Sequence, residues 1–207
     1  MNRIVLPSIA LSYLMVVAGC QSPRNVVEGE SGAKYPPFSE VERLHGHVCP
    51  GSAMGYRMAC SALDRIEEMG IGSRELMAIV ENNKCGTDSL QCVTGCTFGK
   101  GKVLFDDHGK SVYTLFSSKT RKGVRVVFFG DRIPANVRED RDVFMRWILE
   151  APEESILRFS EVTIDRPLPE RTRESVSCAV CGEGVNTNRV RESGGRQLCI
   201  PCAESNR

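Results

Sequence analysis

Aromatic residues and surplus charge are both scarce in this 207-residue sequence. Phe, Trp and Tyr supply 6% of the residues, and basic and acidic side chains nearly cancel at a net charge of +1. A protein that binds nucleic acid through its phosphates carries clustered Lys and Arg, and one that binds single strands offers stacking aromatic rings. The composition therefore argues against a nucleic-acid partner.

The N-terminal apolar run is too short to cross a bilayer as a helix. It covers residues 4–17, follows a single charge at Arg3, and falls short of the ~20 residues that span a membrane. It ends in Val17-Ala18-Gly19 before Cys20, and such small residues are typical of a cleaved secretion signal. These four residues resemble the lipobox of bacterial lipoproteins, which implies cleavage before Cys20 and lipidation of that cysteine.

The N-terminal features predict an exported protein, anchored to the membrane by lipid on the periplasmic side of the cell envelope. We assign residues 1–19 to the signal peptide and the Pro- and Gly-containing residues 20–37 to a tether. More than one acyl chain on Cys20 would hold the protein stably at a membrane. An ordinary cleaved signal, with Cys20 incidental, is the alternative.

Three common catalytic patterns are missing as well. No Ser-His-Asp order and no paired carboxylates stand out, and a P-loop is incomplete at residues 95–101. Gly95 and Gly99 are one residue too close for that motif, and no Ser or Thr follows Lys100. Lys100 is therefore either solvated or part of the lining of a cleft.

Cysteine, by contrast, is abundant, with ten copies against three of His. Four of them form two C-x₂-C pairs near the C-terminus: Cys178, Cys181, Cys199 and Cys202. Residues 182–198 fall within the spacing of about 15–20 residues that is typical of a four-thiolate zinc site. Such a site is closed and structural, because no coordination position is open to substrate. In an oxidising compartment the same thiols can instead form two disulfides.

Hydrophobic periodicity predicts an α+β core in which helices pack on an antiparallel sheet. A short helix capped by Ser39 precedes a longer one that Pro50 opens and Gly70 ends. The predicted strands are residues 76–80, 102–105, 111–116, 124–129 and 162–164, and two further helices are predicted at residues 141–149 and 152–157. We expect Asp88 to cap a helical turn and residues 106–109 to form a hairpin turn between two strands.

The charged, Pro-containing residues 166–175 predict a linker between this core and the cysteine-bearing end. The chain then divides into a core at residues 38–165, the linker, and a zinc finger at residues 176–207. Residues 189–198 predict a hairpin that delivers the second cysteine pair.

A second group of metal-ligating residues lies in the core. His47 and Cys49 form an H-x-C pair before a helix N-terminus, which favours a thiolate at Cys49. Imidazole and thiolate suit zinc, nickel or copper, and Cys85 in a polar loop is our choice for the third ligand. The residues in reserve, as ligands or as the lining of the cleft, are His45, Asp88, Cys96 and Lys100. Three ligands would leave a fourth position open, so we expect a second divalent metal, with zinc the first choice.

The same residues allow other interpretations. Cys49 or Cys85 can be the nucleophile of a thiol enzyme with His47 as its partner, or His47 and Cys49 can be an inert buried pair. The chain can also be a non-catalytic module that docks a membrane partner. Cys60 fits the apolar face of its helix, and Cys92 and Cys96 either pack or pair as a disulfide.

Three motifs together resemble the FmdE family of formylmethanofuran dehydrogenase proteins. They are His-Gly-His-Val-Cys-Pro-Gly at residues 45–51, Glu-Asn-Asn-Lys-Cys-Gly-Thr-Asp at residues 81–88 and Thr-Gly-Cys-Thr-Phe-Gly-Lys-Gly at residues 94–101. The resemblance implies an α+β core, a metal-binding cleft lined by these motifs and a homodimer. Residues 176–205 resemble the C-terminal treble-clef zinc finger that some members carry.

Overall fold

The computed structural model describes residues 34–130 and 133–205 of the chain. The signal peptide, Cys20 and most of the tether lie outside those residues. The elements of the core are α1 (Phe38–His45), α2 (Pro50–Glu68), β1 (Leu76–Val80), α3 (Gly86–Thr94), β2 (Val103–Phe105), β3 (Val112–Ser117), β4 (Lys122–Phe128), α4 (Ala135–Glu139), α5 (Arg141–Glu150), α6 (Glu153–Ile156) and β5 (Leu157–Thr163). Those of the finger are β6 (Ser175–Ser177), β7 (Gly184–Asn186), β8 (Arg191–Ser193), β9 (Arg196–Leu198) and α7 (Ile200–Ser205). Across the described part of the chain, none of the helices is long and apolar enough to pass through a bilayer.

The core is a five-stranded sheet in the order β2-β1-β3-β4-β5. The strands pair antiparallel except for β1 and β2, which are parallel. The α+β class is confirmed, with helix α2 packed against the apolar side of strands β3 and β4. The shared core includes Met58, Ile66, Leu115 and Val126, which are at most 2% exposed.

The predicted hairpin between β2 and β3 is wrong, because β1 lies between these strands. All five residues of β1 are buried, so its backbone groups need hydrogen-bonding partners on both edges. Residues 106–111 pass around the end of β1, where the Glu81 carbonyl accepts the N–H groups of His108 and Lys110. The turn itself does form, with Gly109 at a φ of 65°.

Four other boundaries differ from the predictions. Helix α1 begins after Pro37 and has no side-chain cap, so Ser39 lies inside it. Helix α4 was not predicted. The last strand starts at Leu157, because its whole length pairs with β4 from the Leu157–Phe128 pair onwards. The predicted helix at residues 152–157 is correspondingly short, since the chain enters β5 directly after Ile156.

The opposite face of the sheet carries a smaller apolar cluster and one buried carboxylate. Met77, Ile79 and Phe116 form the cluster, and Glu81 lies beside it with its side chain 9% exposed. Arg125 donates to Glu81 Oε1 through Nε at 3.1 Å and Nη2 at 2.9 Å. This pairing compensates the buried charge and fixes the end of β1, from which the loop to Cys85 departs.

The finger consists of two short hairpins followed by helix α7, which is the arrangement expected for a treble clef. Gly194 and Gly195 both have positive φ and allow the tight turn between β8 and β9. Its buried cluster contains only Cys178, Leu198 and Cys199. Such a small apolar core cannot fold a domain alone, so the metal must supply most of its stability.

Candidate metal centres

Three ligand-bearing side chains meet where helix α1 gives way to helix α2. The donor atoms of His45, His47 and Cys49 all lie within 4.8 Å of one another. Gly46 ends α1 in the left-handed conformation at a φ of 85°, which turns the chain back sharply. The rings of His45 and His47 consequently lie side by side, with centroids 4.5 Å apart. His45, held in reserve by the sequence reasoning, therefore belongs to the cluster.

Cys49 is the N-cap of helix α2. Its sulfur accepts the N–H of Ser52 at 3.3 Å, and the Ser52 hydroxyl accepts the N–H of Cys49 at 3.0 Å. Burial opposes ionisation of Cys49, but the hydrogen bonds with Ser52 and Cys85 outweigh burial and lower the thiol pKa to about 7. A thiolate at this position is stabilised by the helix N-terminus, as the H-x-C pattern predicted.

Asp88 holds His45 in place. Its Oδ2 atom lies 2.7 Å from Nδ1 of His45, and this hydrogen bond raises the pKa of His45 although burial opposes the rise. Nε2 of His45 is buried and has no hydrogen-bonding partner. The imidazole is thus oriented at one nitrogen and free at the other, as in a metal-ligating histidine supported by a carboxylate.

The sequence reasoning gave Asp88 a different place. Asp88 does not cap helix α3, because the helix begins at Gly86 and Asp88 sits inside its first turn. The Cys-Gly-Thr-Asp order contained the missing signal: a helix starting after Cys85 turns residue 88 towards the same end of the helix.

Cys85 lies beside Cys49 at the start of helix α3. A Cβ atom built on Gly51 would be 3.7 Å from the sulfur of Cys49 and 3.7 Å from that of Cys85. Burial and the hydrogen bond with Cys49 raise the pKa of the Cys85 thiol. Cys85 is adjacent to the three mutually close donors but is not one of them.

The remaining candidates from the core lie elsewhere. Cys96 is buried in the apolar core, with its sulfur 3.5 Å from the Leu76 carbonyl oxygen. Lys100 donates to the Gly95 carbonyl at 3.0 Å, at the far end of helix α3 from Cys85. Cys60 and Cys92 pack against the core as free thiols, and Cys96 is free as well.

The second cluster is in the finger, where the four sulfurs of Cys178, Cys181, Cys199 and Cys202 lie within 4.8 Å of one another. The sulfurs of Cys181 and Cys199 are 3.8 Å apart, and that of Cys178 accepts the N–H of Cys199 at 3.3 Å. Backbone N–H groups of Cys181 and Cys199 lower the pKa of Cys178 to about 6. All four cysteines are free thiols, and their convergence suits a tetrahedral zinc ion.

Comparison with known proteins supports both parts of this architecture. The family described as "FmdE, Molybdenum formylmethanofuran dehydrogenase operon" matches residues 44–163. The prokaryotic dksA/traR C4-type zinc finger matches residues 171–206, which confirms the zinc-finger prediction.

Two individual proteins are also similar. The crystal structure of an FmdE-like protein of tungsten formylmethanofuran dehydrogenase, from Syntrophus aciditrophicus, superposes with a TM-score of 0.63 at 26% identity, over 81% of this chain and 90% of that one. A "Probable S-adenosyl-L-methionine-binding protein" of Archaeoglobus fulgidus is 33% identical over 82% of this chain. The match covers 55% of that relative, so the chain spans about half its length.

Proposed function

This chain belongs to the FmdE family, and we propose that it is a lipid-anchored protein that holds a divalent metal in its core beside a structural zinc finger. The observation that carries the core site is the convergence of His45, His47 and Cys49 around a buried, unpartnered Nε2. A buried polar atom without a partner is costly, and a metal ion would remove that cost. Zinc is the first choice, since two imidazoles and one thiolate form a donor set that zinc favours.

Three protein donors leave one position of a tetrahedral ion for an exchangeable ligand. His45 would bind through Nε2, because Asp88 occupies Nδ1. His47 is exposed, so the open position would face solvent on its side of the cluster. Cys85 is close enough to Cys49 to serve as the fourth donor if the exchangeable ligand is absent. The arrangement supports metal handling or metal-assisted chemistry on a small ligand.

The core metal should disappear when Cys49 is replaced by Ser, while the finger keeps its own. We expect Cys49→Ser to lower the metal content of reductively purified protein from two ions per chain to one, because one of three donors is lost. Elemental analysis with a count of free thiols measures this. Cys60→Ser makes the same chemical change within helix α2 but outside the cluster, and should retain both ions. One ion per chain in the unaltered protein, all of it in the finger, would contradict the core site and favour a docking module.

Removing the charge that orients His45 should weaken the core metal without removing a donor. We expect Asp88→Asn to reduce core-metal affinity by roughly 10–100-fold, the usual effect of losing a carboxylate behind a ligating histidine. In the metal-free core the pKa of His45 should fall, because its hydrogen bond to Asp88 raises it. Competition titration with a chromophoric chelator and NMR titration of the ring measure the two effects. Asp107→Asn, on an exposed turn, is the control, and equal affinities for both variants would exclude the orienting role.

Thiol chemistry is the second candidate function, favoured by the lowered pKa of Cys49. Cys49 or Cys85 would then act as a nucleophile with His47 as its proton acceptor. Rapid alkylation of Cys49 near neutral pH in the metal-free core supports this role. Alkylation as slow as that of the buried Cys96 excludes it.

The lipid anchor on Cys20 and the homodimer belong to the same proposal. The lipobox resemblance supports export and anchoring in the cell envelope, with the folded core on the periplasmic side, and the family supports a dimer. Mass analysis of the N-terminal peptide from membranes, compared with Cys20→Ser, tests the anchor. Light scattering of the detergent-extracted protein tests the dimer.

A further inference from the structure

We propose that Cys49 and Cys85 form a reversible disulfide that determines whether the core cluster can hold its metal. The bond between the two sulfurs is inferred from the geometry alone. Only its effect on the metal rests on the proposed function.

The two cysteines are brought together by two helix N-termini that face each other. Cys49 is the N-cap of α2, and Cys85 immediately precedes α3. The helices are joined where the Ser89 hydroxyl donates to the Ser52 carbonyl at 2.8 Å. Two independent segments are therefore fixed on either side of one point.

Gly51 leaves the space that the sulfurs share. A Cβ atom at Gly51 would lie 3.1 Å from Cβ of Cys85 and 3.7 Å from both sulfurs. No side chain separates the thiols there, and a small rotation of either cysteine about χ1 brings the sulfurs towards bonding distance.

The loop before Cys85 is held by its own hydrogen bonds. Oδ1 of Asn82 accepts the N–H of Lys84 at 3.0 Å, and the Asn82 carbonyl accepts the Thr87 hydroxyl at 3.1 Å. Asn82 itself is 4% exposed, so the loop is anchored in the protein interior. This anchoring keeps Cys85 next to Cys49 and lowers the entropy lost on closing the bond.

Exposure sets the order of the reaction. Cys85 is partly exposed, whereas Cys49 is 6% exposed, so an external reagent meets Cys85 first. The thiolate of Cys85 attacks one sulfur of a small disulfide such as glutathione disulfide and expels one thiolate, giving a mixed disulfide. The thiolate of Cys49 then attacks the sulfur of Cys85 and expels the second. The protein loses two electrons and two protons, and the small disulfide is reduced to two thiols.

The consequence for the metal follows from the donor set. A disulfide sulfur is a poor ligand, so oxidation removes Cys49 from the cluster and leaves two imidazoles. Two neutral donors hold a divalent ion weakly. Metal binding and the Cys49–Cys85 bond are therefore mutually exclusive, and a bound metal would in turn protect Cys49 from oxidation.

The test uses the full chain with its finger zinc in place, both with the core metal loaded and after mild chelation of the core. Each sample is treated with glutathione disulfide, its remaining thiols are alkylated, and its proteolytic peptides are mapped by mass spectrometry. We expect a linked Cys49–Cys85 peptide and the loss of two free thiols, both reversed by dithiothreitol. In the loaded sample one metal equivalent should leave with the thiols, and oxidation should be slower than in the chelated sample.

Variants separate this pairing from unspecific oxidation. Cys85→Ser should form no linked peptide and should keep the Cys49 thiol free of any bond to another cysteine of the chain. Cys92→Ser, a cysteine of the same helix α3, should behave as the unaltered protein. The inference is overturned if Cys49 and Cys85 stay alkylatable after oxidation, or if either joins a different cysteine. A linked peptide in a chain that never binds core metal would refute the proposed function and leave the pairing intact.

Discussion

Replacing Cys178 by Ser is expected to release the finger zinc and unfold residues 175–205 while the five-stranded sheet stays folded. The finger buries only one small cluster, of which Cys178 is a member. Zinc binding contributes roughly 10–16 kcal/mol to the folding of zinc-finger peptides at neutral pH, far more than so small an apolar cluster can supply. Loss of one of four thiolates therefore removes most of the stability of this segment.

The expected result can be measured by zinc content together with amide hydrogen exchange. Exchange should become fast in strands β6 to β9 and stay slow in β1 and β3, whose residues are buried throughout. Cys92→Ser is the control, because it makes the same chemical change at a half-buried cysteine outside both clusters. Slow exchange throughout the finger of Cys178→Ser would show that its fold does not depend on zinc.

Replacing Gly55 by Ala is expected to destabilise the core and disturb its metal cluster together. A Cβ atom on Gly55 would lie 2.3 Å from the Gly86 carbonyl oxygen and 2.4 Å from its Cα atom. These are backbone atoms that cannot move aside as a flexible side chain would, so helices α2 and α3 must separate. Overpacking of this kind costs about 1–3 kcal/mol, and a backbone clash places the cost at the upper end.

The separation also moves Cys85 and Asp88, since both lie in the first turn of α3 or next to it. We therefore expect thermal unfolding of Gly55→Ala to begin several degrees lower, at ~2–4 °C per kcal/mol, and core-metal affinity to fall in the same variant. Gly99→Ala is the matched control, because its added methyl group would meet nothing within 4 Å. An unchanged melting temperature for Gly55→Ala would mean that the two helices are not in close contact in solution.

The local patterns predicted much of this fold. The apolar periodicity of residues 56–66 identified helix α2, and the continuous apolar run at residues 76–80 identified β1 as a buried strand. The spacing of the four C-terminal cysteines identified the finger, because two tight turns are enough to bring two thiolates each to one ion.

The pairing of strands could not be obtained in this way. A turn signal at residues 106–109 is a local property, whereas the insertion of β1 between β2 and β3 depends on burial across the whole sheet. The cluster shows the same limit, since the contact of His45 with Asp88 joins positions 43 residues apart. Only the packing of α1 against α3 brings them together, and no sequence spacing encodes that packing.

The strand order also dictates when the sheet can be completed as the chain folds. β1 is made before both of its neighbours, and its bond to β3 closes a loop from residue 80 to residue 113. Until that loop closes, five consecutive apolar residues have no partner on either edge, which slows folding and invites association between chains. A mutation that delays β3, such as a proline within residues 112–117, should therefore reduce the yield of soluble protein more than its effect on final stability would suggest.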